Sequence, residues 1–350
     1  MPSNPTLIKF TYLDKLVARL RESAIRLMTP YLFNKYQQII YHHLKKKSIP
    51  FLKKYSKIFS FFEGFQSSSV LEVKNMSLRT DLALESAQSI SKTKDLPEGL
   101  ECHVSHLSGF EVTEVTITSP ETAKKIGKPC GKYLTLEPKH RLDYPEEITD
   151  KQAKALSKAI KTLVGEDNKS VLVVGLGNEA ITPDSLGVKT AKRIFATRHI
   201  KENAPELLEG DVCDVSVLVT GVMGKTGIES SDVVKAVCER IKPSCVIAVD
   251  ALACSDSDHL GKTIQITDTG ISPGSGVANS RRELSISTLG IKCIAIGIPT
   301  VCDLRNGSDM MVTPRTIDKM IAKSASLLAR GINGALIEGI SPKELEILAL

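Results

Sequence analysis

The chain has 350 residues, 42% hydrophobic and 25% charged, which suits a globular protein with one large or two medium domains. Its net charge of +6 is uneven: residues 1–70 hold 12 Lys and Arg against 3 Asp and Glu, so the rest is mildly acidic and offers no nucleic-acid groove. No apolar run reaches the ~18 residues of a membrane span. No secretory signal pattern opens the chain, and the eight cysteines lack C-x-x-C pairing, as expected of reduced core residues in a cytoplasmic protein.

Residues 1–70 hold 12 of the 16 Phe and Tyr, many within "YLFNKYQQIIYHHLKKKSIPFLKKYSKIFSFF". This predicts a helical, basic N-terminal extension. Three readings stand: a membrane-surface or partner-binding segment, a removable pro-region, or an extension upstream of a natural start at Met76. The run Gln66-Ser67-Ser68-Ser69 reads as a linker.

From about residue 108, apolar β-branched runs predict strands at Val112–Ile117, Val171–Gly175, Val215–Thr220, Cys245–Val249, Thr263–Ile266 and Cys293–Ile298. Leu156, Ile160, Leu163 and Val164 mark one helix face. Val233, Val237 and Ile241 mark another, capped by Ser230 or Ser231. A last helix is predicted to start at Thr313, with Pro314 at its first position and Ile317, Ile321, Ser324 and Leu328 on one stripe. Such alternation predicts an α/β fold, a mostly parallel sheet with helices on both faces. Ligands on such sheets bind beyond the carboxyl ends of the strands.

After the strand at Val171, "VLVVGLGNEAITPDSLG" carries G-x-G-x-x-A through Ala180. Pro183 sits where a nucleotide-binding helix would begin, and no acid lies about 20 residues on. Gly175 and Gly177 read instead as a tight turn that leaves Asp184 at the mouth of the sheet. After the strand at Val215, "GVMGKTG" fails the P-loop spacing because position 219 is Val219. The backbone N–H groups of these two turns, at Gly177 and Asn178 and at Gly221, Gly224 and Lys225, are candidates to bind an extended peptide or an oxyanion.

The strand Cys245–Val249 ends in Asp250, a carboxylate costly to bury unless paired or used. Two readings stand for Asp184 and Asp250. Converging above neighbouring strands, they form a proton-sharing pair that activates water for amide hydrolysis; otherwise they are structural caps. Among the seven histidines there is no H-E-x-x-H motif or close ligand set, and no G-x-S-x-G elbow occurs. His259, near Asp256 and Asp258, reads as part of a solvated loop before a metal ligand. "TGISPGSGVANSRREL" is a loop over the site or a surface connection.

These segments, with "RTDLALE", "TGVMGKTGIESSDVVKAV", "VIAVDALA", "LGIKCIAIGIPTVCD" and "MVTPRTID", resemble the germination proteases of spore-forming bacteria over residues 77–335. The resemblance implies an atypical aspartic-type endopeptidase of hydrogenase-maturation-protease-like fold. It would degrade small acid-soluble spore proteins in the spore cytoplasm, with no metal or organic cofactor, no direct nucleic-acid partner and a homotetrameric assembly. It places the catalytic pair at Asp184 and Asp250.

The family is made as self-processing zymogens, and the resemblance puts the activation cleavage between Asp81 and Leu82. There "TDLALE" matches a substrate pattern of acidic residue, bulky apolar residue, Ala, small residue and Glu. The expected organisation is an extension at 1–70, a pro-segment with the activation site at 71–85 and a catalytic domain at 86–350. Two features set the chain apart: about 80 residues precede the cleavage site, and only Leu304–Met310 stand where the family has a long insertion. The rival readings are a metal-dependent maturation-type protease and a non-catalytic relative that binds spore proteins.

Overall fold

A computed structural model describes residues 80–91, 97–142, 148–165, 169–208, 212–275, 281–303 and 310–349. The chain divides between Ser77 and Leu78. The basic extension, the serine run and Met76 lie outside the described residues, as do most of the short bridge after Asp303 and the loop's segment 276–280. Among the described residues no helix is long and apolar enough to cross a membrane.

Nine strands form one sheet: β1 Leu100–Leu107, β2 Phe110–Ile117, β3 Gly131–Pro138, β4 Ser170–Leu176, β5 Asp214–Gly221, β6 Cys245–Cys254, β7 Ile264–Thr267, β8 Lys292–Asp303 and β9 Met311–Val312. The order is β1-β2-β3-β7-β8-β6-β4-β5, with β9 paired to β8. The expectation of a mostly parallel sheet is corrected. Only β8–β6, β6–β4 and β4–β5 pair in parallel, while β1–β2, β2–β3, β3–β7, β7–β8 and β8–β9 are antiparallel. The physical reason is connection length: β1 and β2 are joined by Ser108 and Gly109 alone, and so short a link permits only a hairpin. Gly109, at φ +91°, takes the left-handed conformation of that turn.

The parallel half is covered on both faces, and its strands show why. Along β4, Val171 and Val173 point into a core with the helices Asp150–Val164 and Ile317–Leu336. Leu172, Val174 and Leu176 point into a second core with the helix Ser230–Ile241. The period-2 alternation of an extended chain thus makes a continuous apolar run the signature of a strand buried twice. Helix Asp150–Val164 opens with a reciprocal cap between Thr149 and Gln152, worth about 1 kcal/mol. It approaches Ile317–Leu336 closely at Gly331, where a Cβ would meet Leu156 at 2.5 Å. Ser157 Oγ donates to the Gly331 carbonyl at 2.9 Å there.

Two helix expectations shift. The helix predicted from Thr313 begins at Ile317, because Pro314 to Ile317 form a hydrogen-bonded turn ahead of it and Thr313 Oγ1 donates to the Thr300 carbonyl. In Ser230–Ile241 the buried line is Ser231, Val234 and Cys238, with Val237 and Ile241 only half-buried beside it. Its cap position is Glu229, and Ser230 bonds back to the Gly221 carbonyl instead.

Candidate active site

The glycines after β4 wrap around a carboxylate. Gly177, at φ +103°, lies so close to Asp184 that a Cβ would sit 2.0 Å from its carbonyl oxygen. The Asn178 N–H donates to both the Asp184 carbonyl (3.0 Å) and Asp184 Oδ2 (2.9 Å). Pro183 lies in the 3₁₀ turn Thr182–Asp184 that presents the side chain. Next, Gly187 touches the backbone of two strands: a Cβ there would meet the carbonyl oxygens of Val249 at 2.2 Å and Leu176 at 2.5 Å. Glycine therefore lets the helix Leu186–Ala191 settle on the ends of β4 and β6.

Asp250 lies one residue past Val249, which pairs with Gly175 of β4. It is 4% exposed, and its Oδ1 accepts the Ala251 N–H at 2.9 Å. Burial, then the charge of Asp184 and that of Asp81, hold its pKa well above the ordinary aspartate range, with the Ala251 hydrogen bond opposing. Asp184 is also raised by burial, opposed by the Asn178 N–H and the positive charge of Arg281. The two carboxyls form a coupled pair in which Asp250 favours the protonated form and Asp184 carries the groups that favour the anion.

Residues Thr80–Leu82 lie along the end of β6. Asp81 N–H donates to the Ala253 carbonyl at 2.9 Å, and Ala253 N–H returns a bond to Asp81 Oδ2 at 2.8 Å. Ser275 Oγ donates to Asp81 Oδ1 at 2.6 Å, so the glycine-serine loop does cover this segment. The Asp81 carbonyl accepts Gln265 Nε2 at 3.0 Å, while Gln265 Oε1 accepts the Ala83 N–H at 2.7 Å. Lys128 Nζ donates to the Thr80 carbonyl at 3.0 Å; burial lowers its pKa, against the charges of Asp81 and Glu85. Leu82 is fully buried among Leu252, Cys254, Leu260 and Cys302.

The structure thus brings Asp184, Asp250, Asp81 and Leu82 to one end of the sheet. Gly177 and Asn178 belong to the same place but hold Asp184, so the Asn178 N–H is already engaged there. Gly221, Gly224 and Lys225 stand at the end of β5 and in the short helix Met223–Thr226, where the Lys225 N–H closes the turn onto the Val222 carbonyl. No hydrogen bond among the described residues joins those three to the carboxylate pair or to Asp81. Lys225 instead exerts its charge on Glu179.

Sequence reasoning missed Gln265, Lys128 and the role of Ser275. Only the loop around Ser275 gave a signal. His259 is not in a solvated loop: its side chain is 12% exposed, with Nδ1 on Glu137 and Thr263. Among the described residues no group of three or more His, Cys, Asp or Glu side chains is placed to hold a metal ion.

The family model described as "Germination protease" matches residues 72–308. A germination protease of Caldanaerobacter subterraneus is 36% identical over 320 residues, covering 78% of this chain and 98% of the relative. Those of Geobacillus sp. and Priestia megaterium are 41% and 42% identical over 261 residues, covering 71% of this chain and 68% of each relative. Among solved structures, the [NiFe] hydrogenase maturation protease HycI from Thermococcus kodakarensis aligns with 50% of this chain and 99% of its own, at 20% identity and a TM-score of 0.29.

Proposed function

The chain belongs to the germination protease family and is a peptidase, and from that premise we propose that it cuts small acid-soluble spore proteins during germination in the spore cytoplasm. In this reading it is made as a zymogen that first cuts itself between Asp81 and Leu82. Residues 71–81 are then the pro-segment, and residues 1–70 are an added extension with no part in the chemistry. The observation that carries the reading is the Asp81–Leu82 peptide itself. It lies at the carboxylate pair, with Asp81 close enough to raise the pKa of Asp250 and with its carbonyl held by Gln265.

Asp184 serves as base, since the Asn178 N–H and Arg281 favour its anion. It takes a proton from a water whose oxygen bonds to the Asp81 carbonyl carbon. Gln265 Nε2 donates to the carbonyl oxygen as negative charge develops there, a contact of the kind that stabilises the tetrahedral state. Asp250, kept protonated by burial and by its acidic neighbours, gives its proton to the Leu82 nitrogen as the C–N bond breaks. Hydrolysis is balanced, with one water consumed and one proton passed through the pair.

The test is incubation of the purified full chain with a purified small acid-soluble spore protein, followed by mass mapping of the fragments. Cuts between an acidic residue and a bulky apolar one are expected. An intact substrate after prolonged incubation with folded, self-processed protein overturns the reading.

A further inference from the structure

Beyond the cleaved bond, Glu85 is 5% exposed and has every oxygen engaged. Its Oε2 accepts the Ser255 N–H at 2.8 Å and the Ser255 hydroxyl at 2.6 Å, and its Oε1 accepts the Asp256 N–H at 3.0 Å. His259 Nε2 lies 4.0 Å from Oε1. The ring is fixed from behind. Thr263 Oγ1 donates to Glu137 at 2.9 Å, so it accepts from His259 Nδ1, which also stands 3.0 Å from Glu137. That arrangement spends the Nδ1 proton on Glu137 and Thr263 and turns Nε2 toward Glu85. Burial opposes a charge on the ring, but Glu137, Glu85 and Asp256 outweigh it and raise its pKa. Lys128 adds a second positive charge felt by Glu85.

The geometry points to a specificity pocket, formed by the Ser255 and Asp256 backbone N–H groups, the Ser255 hydroxyl and His259, that reads a glutamate four residues past the cut bond. Glu85 occupies it in the uncut chain, and a substrate glutamate takes the same place once the pro-segment is gone. The inference rests on the proteolytic reading for its meaning, but the pocket itself stands on contacts within the chain. The pocket offers donors on all sides and no acceptor. A glutamine would turn its NH₂ against the Ser255 donors, and an aspartate would fall one methylene short. Sites built to hydrogen-bond one group reject its near-isostere strongly, because a buried donor is left unpaired. His259 is a specificity residue and Glu137 its positioning residue.

The test uses the full chain with Glu85→Gln, His259→Gln and the double change, each checked for cooperative unfolding. Two readouts are followed: the rate of self-cleavage and hydrogen exchange of the amides of Leu82–Ser91. Each single variant is expected to slow self-cleavage at least tenfold and to speed exchange of that helix at least tenfold. The double variant should lose little more than either alone, because both remove one interaction. In a third arm, the processed enzyme is given peptides that differ only by Glu or Gln at the fourth position after the cut, and kcat/KM should favour Glu at least tenfold. Unchanged exchange and cleavage in the single variants, or equal use of the two peptides, overturns the pocket. Absence of any cleavage by the unaltered chain overturns the proteolytic reading instead, and the exchange arm still decides the pocket.

Discussion

Asp184 bears on Asp250 across the ends of two neighbouring parallel strands and helps to hold the buried carboxyl in its protonated form. The contact exists because two glycines, Gly177 and Gly187, let the chain after β4 fold tightly enough to bring Asp184 over the end of β6. Asp184→Asn and Asp250→Asn are therefore each expected to abolish cleavage, since one removes the base and the other the proton donor. Near-normal turnover in either folded variant would sink the pair.

The same substitution at Asp250 carries a stability prediction. A carboxyl whose folded-state pKa is raised binds its proton more tightly when folded. Stability is then greatest below the unfolded pKa and is lost as pH rises toward the folded one. Asp250→Asn removes that loss, so the variant should melt above the parent by about 2 °C or more at mildly alkaline pH. The gap should narrow on acidification. Thermal unfolding at several pH values checks the sign, and a variant that melts lower at high pH contradicts the assignment.

Activity should follow a bell in pH. It rises as Asp184 loses its proton and falls as Asp250 loses its own, and both carboxyls are raised by burial, so both limbs lie above the ordinary aspartate range. The apparent pKa values belong to the pair, not to either residue. Initial rates on one peptide from about pH 4 to pH 9 measure this. A flat profile, or a single acid limb at the usual aspartate value, removes the acid–base division argued above.

The parallel half of this fold was readable because burial on both faces leaves unbroken apolar runs, and the carboxylates Asp184 and Asp250 stand where those runs end. β1 was not readable. Residues Glu101 to His106 are exposed, so the strand forms by pairing along β2 and not by burying a face, and its sequence shows no period. Gln265 and His259 escaped for a different reason. Gln265 looks like any polar residue in a strand, and its partner Ala83 is 182 residues away. The same holds for Lys128 beside Thr80. Local pattern reports what a residue buries, but not which distant backbone group it was kept to meet.

Residues before Met76 are expected to be dispensable for folding. Each apolar cluster in the described residues is built from Leu82 onward, and the chain divides at Ser77. A chain beginning at Met76 retains all of those contacts and should unfold in one cooperative transition. Aggregation, or a broad non-cooperative melt, would assign part of the extension to the core.

Leu82 sets the most direct test of the cleavage site. It is fully buried against Leu252, Cys254, Leu260 and Cys302, a contact worth about 1.5–3 kcal/mol in apolar area removed from water. Leu82→Met nearly conserves volume and should cost under about 1.5 kcal/mol, so self-cleavage slows only modestly. Leu82→Ala leaves a cavity costing about 2–5 kcal/mol, enough to reduce the docked fraction tenfold or more where docking is not in large excess. Leu82→Lys is worse: an ammonium in this apolar cluster has no acceptor among the four side chains that line it. The cost of burying it unpaired exceeds the loss of the leucine, and cleavage should stop. The order Leu, Met, Ala, Lys is the signature of a pocket read by burial, because charge alone would spare the alanine variant. N-terminal sequencing of each processed chain measures both the rate and the position. A mature chain starting far from Leu82, or an unchanged rate in Leu82→Lys, would show that this peptide is bound but is not the bond that is cut.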